Sequence, residues 1–255
     1  MLRRYLLPSV MLTAIVAVAL GLVYPIAMTG IGRALFPYRT NGSLITQNGK
    51  VVGSALIGQE FLGKDGNPDP KYFQPRPSDA GAGYDASVSS ASNLGPGDPR
   101  LVGNMPGLNT DDPTKNPYAT KADPYCVPVQ ATDKDGNDVT DKGGNPVYEK
   151  NKDGSYVCNS STVPERVLAY RDLNKLSSDV KIPVDAVTAS GSGLDPDISP
   201  ANADLQGARV AAARHLDVAT VNALIKQHTK GRQLGFLGEK TVNVLDLNLA
   251  LDKLH

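Results

Sequence analysis

Histidine occurs three times in this 255-residue chain and cysteine twice. His215, His228 and His255 do not lie at metal-ligand spacing. Cys126 and Cys158 stand far apart with no third cysteine beside them, so no recognisable metal site is written here. Two cysteines are also too few to staple a small disulfide domain. Charge of one sign is not in excess. The 26 lysines and arginines balance 26 aspartates and glutamates, and nothing in that balance argues for a nucleic-acid partner. A Gly-x-Ser-x-Gly nucleophile elbow is missing, since Gly191-Ser192-Gly193 is too short to qualify. The phosphate-loop lysine and the six-residue dinucleotide fingerprint are missing too.

What the chain does have is one long uncharged run. No charge falls between Arg4 and Arg33, a stretch that includes Leu6, Leu7, Val10, Leu12, Ile15, Val16, Leu20, Leu22, Val23 and Ile26. A helix needs about 20 apolar residues to cross a bilayer core of about 30 Å, so this run suffices with room for tilt. Pro8 and Pro25 sit near its ends, and Tyr5 and Tyr24 suit the interfaces. The rival reading is a signal peptide with Arg3 and Arg4 at its start and cleavage after Ala17-Val18-Ala19. Apolar sequence continues well past Ala19, which favours an uncleaved anchor. No cysteine follows the run, which excludes a lipoprotein anchor. Residues 1–40 carry four arginines and no acid, leaving 22 basic against 26 acidic groups beyond them. The positive-inside rule then favours, by a narrow margin, a cytoplasmic N-terminus. The expectation is a single-pass protein of the cell's inner membrane, with a mildly acidic domain outside the cytoplasm.

The expected fold class is α+β: a transmembrane helix over 1–33, then one extracytoplasmic domain over 34–255. Leu44-Ile45 and Val51-Val52 flank Asn48-Gly49, a strong hairpin signal because both turn residues tolerate positive φ. From Gly63 to Asp98 the chain is rich in Gly, Pro, Ser and Asn and reads as a long loop, a feature usually tied to function. Residues 95–160 are denser still in Pro and Gly. There Asp133-Lys134-Asp135-Gly136-Asn137, Asp141-Lys142-Gly143-Gly144-Asn145 and Asn151-Lys152-Asp153-Gly154-Ser155 invite a calcium reading. They lack the spacing and closing Glu of an EF-hand loop, so Asp-Gly turns in short hairpins are the better reading. Cys126 and Cys158 bracket these turns. A disulfide between them, favoured over free thiols, would stabilise by roughly 3–4 kcal/mol.

The last quarter reads as globular. Val184-Asp185-Ala186-Val187-Thr188 is expected as a strand, followed by the loop Ala189–Pro196. Ser199 caps a helix with Pro200 at its start and an apolar face of Leu205, Ala208, Ala212 and Leu216. Asp217 caps a second helix, with Val218, Val221, Leu224, Ile225 and His228 on one face and Gly231 closing it. A short strand follows at Thr241-Val242-Asn243-Val244, then an amphipathic helix carrying Leu247, Leu251 and Leu254. The Ser/Gly loop leading into the Ser199 helix could cradle a phosphate, against the plainer reading of a tight turn. Arg76, between Pro75 and Pro77, could pair with a partner's carboxylate or anchor its own loop.

Several blocks together resemble the KdpC family, the C subunits of Kdp potassium-transporting ATPases. They are Val23-Tyr24-Pro25, Gly53-Ser54-Ala55-Leu56-Ile57-Gly58-Gln59, Tyr72-Phe73-Gln74-Pro75-Arg76-Pro77-Ser78 and Ser92-Asn93-Leu94-Gly95. Further on come Val184–Pro196, Arg209-Val210-Ala211, Gly235-Phe236-Leu237-Gly238 and Val242–Asn248. The resemblance covers most of the chain in two blocks. Residues 104–163 look like an insertion, 63–69 like a smaller one, and Gly207-Ala208 stands where the family has an apolar-Pro pair.

The resemblance implies a non-catalytic subunit that assembles and stabilises a channel-like potassium-binding subunit and a P-type ATPase subunit. It also implies a chaperone-like role raising the ATP affinity of the ATPase subunit. No nucleotide motif is present, and a domain outside the cytoplasm cannot touch cytoplasmic ATP, so no cofactor residues are assigned. Interface candidates are Arg76, Ser78, Asn93 and Leu94. The loop of Ser190, Gly191, Ser192, Gly193 and Asp195 is the family's densest motif. Gly21, Gly30 and Gly32 would allow partner helices to approach. The alternative is a membrane-anchored extracytoplasmic serine hydrolase using Ser190 or Ser192.

Overall fold

The computed structural model describes residues 2–95, 118, 128–134, 137, 139–157 and 162–254. The chain mixes helix and sheet and divides into two compact units, Met1–Leu56 and Ile57–His255. Cys126 and Cys158, and with them the expected disulfide, lie outside the described residues.

The first unit opens with a helix interrupted by one wide turn: α1 (Leu2–Val18), a π-helical turn (Ala19–Val23) and α2 (Tyr24–Leu35). At the turn the Tyr24 amide donates to the Ala19 carbonyl, five residues back. Pro25 comes directly after it. Its ring would crowd the carbonyl four residues before it, and the widened turn gives that carbonyl room. Tyr5–Leu35 is, among the described residues, the one helix long and apolar enough to cross a membrane. After a single turn, α3 (Pro37–Thr40), come β1 (Leu44–Gln47) and β2 (Lys50–Ser54), paired antiparallel. Asn48 (φ 51°) and Gly49 (φ 76°) form the expected turn with both residues left-handed.

In the second unit, residues 57–95 contain no helix and no ladder, and over 63–95 this is the loop expected from composition. The stretch 128–157 pairs back on itself through the bridges Gln130–Tyr148, Thr140–Pro146 and Lys150–Tyr156. Asp141 accepts the Gly143 and Asn145 amides, and Asp153 accepts that of Ser155, so these carboxylates close turns. Then comes α4 (Val163–Asn174), which periodicity did not reveal. Its signature was there: Thr162 accepts the Glu165 amide, Glu165 accepts the Thr162 hydroxyl, and Pro164 sits in the first turn.

Val184–Ala186 is a 3₁₀ turn, not the expected strand. Ala186 and Val187 are buried in succession, whereas strand side chains alternate between faces. The turn aims Asp185 at the start of α5 (Pro200–Arg214), where its carboxylate accepts the Ser199 amide at 2.7 Å, the Ser199 hydroxyl at 2.8 Å and the Asn202 side-chain amide at 3.0 Å. The place a phosphate would take at this helix N-terminus is filled by the chain's own anion. Asp185→Ala should lower stability by about 2 kcal/mol, with Asp185→Asn falling between it and the parent, read from denaturant midpoints.

Ser199 caps α5 and Asp217 caps α6 (Val218–His228), as expected. The buried face of α5 is not the one expected. Ala208 and Ala212 are exposed, while Asn202, Ala203, Gln206, Arg209, Val210, Ala211 and Arg214 are buried. Val218 is also exposed, and α6 ends at His228 without help from Gly231. Thr229 takes up an extended conformation and the chain runs directly into a strand. That strand, β4 (Thr229–Lys230), pairs with β5 (Thr241–Asn243), which pairs with β3 (Asp197–Ile198), giving the order β3-β5-β4. Asn243 caps α7 (Val244–Leu251), whose Leu247 and Leu251 are buried while Leu254 beyond it is exposed. Phe73, Ile198, Val210, Val221, Ile225, Val242, Leu247 and Leu251 form the core between these helices and the small sheet.

Candidate functional site

Residues 69–76 need hydrogen-bond partners that no neighbouring strand supplies. Four side chains supply them. The Asn248 amide accepts from the Phe73 N–H at 2.9 Å and donates to its carbonyl at 3.0 Å. Gln206 does the same for Gln74, at 2.7 and 3.0 Å. Arg209 donates to the carbonyls of Pro70 (2.8 Å) and Tyr72 (2.9 Å). Arg214 donates to the Lys71 carbonyl at 2.7 Å, pairs with Asp252 at 2.7 Å and lies 4.7 Å from the Tyr72 ring centroid. These helix side chains fix the segment and thereby position Arg76 at its end.

From Arg76 onward the chain forms a clasp between two loops far apart in sequence. Arg76 makes an ion pair with Asp195 at 3.1 Å and donates to the carbonyls of Thr188 and Ala189 at 3.4 Å. The Ser78 hydroxyl donates to the Gly193 carbonyl at 2.6 Å and accepts the Ala80 and Tyr84 amides. The Tyr84 hydroxyl is shared between the carbonyls of Arg76 (2.9 Å) and Asp195 (3.2 Å). Burial, and secondarily the charge of Asp195, holds the phenol well above its usual pKa, so it remains a donor. Ser89 and the Ser90 amide both donate to the Ser192 carbonyl, at 3.0 and 3.1 Å, and the Gly58 amide donates to the Leu194 carbonyl at 2.9 Å.

Two glycines make the approach close enough. A Cβ on Gly193, which has φ +67°, would lie 2.4 Å from the Ser90 carbonyl oxygen and 2.7 Å from the Ala80 Cβ. One on Gly58 would lie 2.3 Å from the Tyr84 ring and 2.6 Å from the Asp195 carbonyl oxygen. Gly191 is exposed and open on all sides.

Arg76, Ser78, Gly193 and Asp195 therefore meet in one place, with Arg76 anchoring its own loop. Asn93 and Leu94 continue the same segment. Asn93 is exposed with φ 55°, and Leu94 is half-buried. Ser190 is buried and Ser192 exposed; their hydroxyls lie 3.4 Å apart, and that of Ser192 accepts the Leu194 amide. Among the described residues no histidine hydrogen-bonds either serine, so the hydrolase reading lacks its base there. Also among the described residues, no three His, Cys, Asp or Glu side chains cluster as metal ligands. A cleft of about 520 Å³ borders the clasp, lined by Glu60, Gln74, Arg76, Arg166, Tyr170 and Leu173 among others.

Sequence reasoning missed Tyr84, Gln206, Asn248 and Asp185 as organisers of this site. One signal was available. Asn202, Gln206 and Arg209 recur at helical spacing on an alanine-rich helix, a polar stripe that can face inward only if something there needs it.

Comparison with known proteins places these motifs. The profile of a family described as "KdpC: K+-transporting ATPase, c chain" matches residues 6–137 and 150–253. The "Potassium-transporting ATPase KdpC subunit" of Mycobacterium tuberculosis (strain H37Rv) is 42% identical over 253 residues, 99% of this chain and 100% of the relative. The protein of the same name from Gemmatimonas aurantiaca is 42% identical over 256 residues, covering 99% and 94%. That from Koribacter versatilis is 38% identical over 251 residues, covering 98% and 95%.

Proposed function

The chain belongs to the KdpC family of K+-transporting ATPase c chains, and we propose that it is the non-catalytic subunit of such a potassium-transporting complex. In this reading it crosses the inner membrane once through Tyr5–Leu35, with its N-terminus cytoplasmic. Residues 34–255 form the extracytoplasmic domain, with 104–163 an insertion on it. It assembles and stabilises a channel-like potassium-binding subunit and a P-type ATPase subunit. Raising the ATP affinity of the ATPase subunit belongs to the same proposal and is assigned to no residue of this chain.

One observation carries the docking part of the proposal. The clasp fixes an otherwise structureless loop, residues 72–94, onto the Ser190–Asp195 loop through five bonds, from the side chains of Arg76, Ser78, Tyr84 and Ser89 and from the Ser90 amide. A loop held this firmly presents a fixed surface, and fixed surfaces bind without an ordering cost. Its exposed end carries Asn93.

The test is an affinity pull-down of the tagged full chain from membranes. A channel-like subunit and a P-type ATPase subunit are expected to co-purify with it. Asn93→Gly removes the side chain while keeping the left-handed backbone. It should weaken complex recovery by about 1–2 kcal/mol, the usual cost of trimming an interface contact, and leave the thermal midpoint unchanged. Arg76→Ala should lower both, because it also opens the clasp. Full recovery and transport with both variants would remove this loop as a docking surface.

A further inference from the structure

The second unit carries three large apolar side chains outside its core. β4 and β5 are joined by residues 231–240, and all ten of these are exposed. At the tip Leu234 is 83% exposed, Phe236 69% and Leu237 47%. The base of this hairpin is fixed. Thr229 pairs with Val242, a fully buried core residue, and Lys230 pairs with Thr241. The tip is fixed as well. The Gln233 amide donates to the Leu237 carbonyl and the Leu237 amide to the Gln233 carbonyl, both at 2.9 Å, and Arg232 bridges to Glu239 at 2.8 Å.

The tip is also strained. Gly235 and Gly238 take positive φ freely, but Leu234 has φ 52°, a conformation in which a β-carbon crowds its own backbone. Leu234 neither packs in the core nor hides from water, so nothing within this unit repays that strain. A rigid apolar knob with a defined shape suits a pocket of matching shape. A fluid lipid surface would accept the same side chains without requiring a strained turn. The charges beside it point to the rim of such a pocket. Lys230, Arg232 and Lys240 are exposed against the single acid Glu239.

We propose that the Arg232–Glu239 hairpin is a second docking element of this chain, inserting Leu234, Phe236 and Leu237 into an apolar, carboxylate-rimmed pocket on a sister subunit of the same potassium-transporting complex. This rests on the subunit role given above, and it assigns that role a surface separate from the clasp. The hairpin contributes no side chain to the clasp or to the core, so its variants leave the fold intact.

The test uses the full-length tagged chain co-expressed with its sister subunits in membranes. Phe236→p-benzoylphenylalanine places a photoreactive group at the tip, and Lys226→p-benzoylphenylalanine, on an exposed position of α6, sets the background. Illumination is expected to yield an adduct of Phe236 with a sister subunit well above that background. The double variant Leu234→Ser/Phe236→Ser should lower recovery of the intact complex at least about tenfold with an unchanged thermal midpoint. Adducts with lipid alone, with a second copy of this chain, or no stronger than the Lys226 background would overturn the proposal. So would full recovery of complex with the double variant. If the parent chain captures no sister subunit, the subunit role falls and this proposal with it. If the parent captures the complex and the tip does not crosslink to it, the hairpin proposal alone falls.

Discussion

Gly193→Ala should lower the stability of the second unit by about 3 kcal/mol or more, while Gly191→Ala, two residues away in the same Ser/Gly loop, should be close to neutral. The contrast comes from geometry. At Gly193 the backbone is left-handed, which alone costs an L-residue roughly 1–2 kcal/mol. The added methyl would also meet the Ser90 carbonyl oxygen and the Ala80 backbone, neither the flexible end of a side chain. The loops would have to part, stretching the Ser78 and Ser192 bonds that join them. At Gly191 nothing lies within 4 Å and φ is ordinary. Gly58→Ala should behave like Gly193→Ala, because the Tyr84 ring it would strike is pinned by its hydroxyl. Thermal midpoints of the detergent-solubilised full chain decide the matter, at about 2–4 °C per kcal/mol for a unit of this size. Equal midpoints for the Gly193 and Gly191 variants would mean that the two loops are not held this closely.

How much of this was legible beforehand depends on how far away each residue's partner lies. The turn at Asn48-Gly49 and the caps that Ser199 and Asp217 form on the Asn202 and Ala219 amides are local, and each adopted the structure that local rules predict. The Ser/Gly loop and the Arg76 turn were visible as motifs, but their mutual contact was not, because 119 residues separate Arg76 from Asp195. The expected strand at Val184 failed for a related reason. Its apolar residues look strand-like in isolation, yet Asp185 is drawn to the N-terminus of α5, and the backbone turns to deliver it. On α5, apolar periodicity selected Ala208 and Ala212, small residues that lose little by facing water. The buried stripe instead holds Gln206 and Arg209, whose burial is offset by backbone groups of Pro70, Tyr72 and Gln74 more than 130 residues earlier. Hydrophobicity ranks such residues as surface. Only the demand for hydrogen bonds made by a strandless segment explains why they are inside.

Arg209 carries the largest share of that demand, and its removal is the second strong expectation. The guanidinium is buried and reaches three elements at once. It donates to Asn174 at the end of α4 (2.9 Å), to Gln206 on its own helix (2.8 Å) and to the carbonyls of Pro70 and Tyr72. Among the described residues no carboxylate forms a hydrogen bond with it, so its charge is stabilised by oriented carbonyl and amide dipoles. Burial pulls its pKa down to about 10, which still leaves it charged at neutral pH. Arg209→Met keeps much of the volume but takes the donor from two backbone carbonyls and the Asn174 side-chain oxygen, while the Gln206 oxygen keeps only the Gln74 amide. The expected cost is about 3–5 kcal/mol. Arg209→Lys should fall between the variant and the parent, because one ammonium cannot span a fork of bonds to both α4 and the 69–72 backbone. A second readout separates this local loss from general destabilisation. Lys71 is exposed but its backbone is held, so the Lys71–Tyr72 bond should resist trypsin in the parent chain and be cut early in Arg209→Met. Parent-like midpoints and cleavage would show that the segment does not depend on Arg209. The expected result also reaches the clasp. Gln74 and Arg76 lie just beyond Tyr72, so releasing the 69–72 backbone frees the residues that position the loop proposed above to dock, and on that proposal complex recovery should fall with stability.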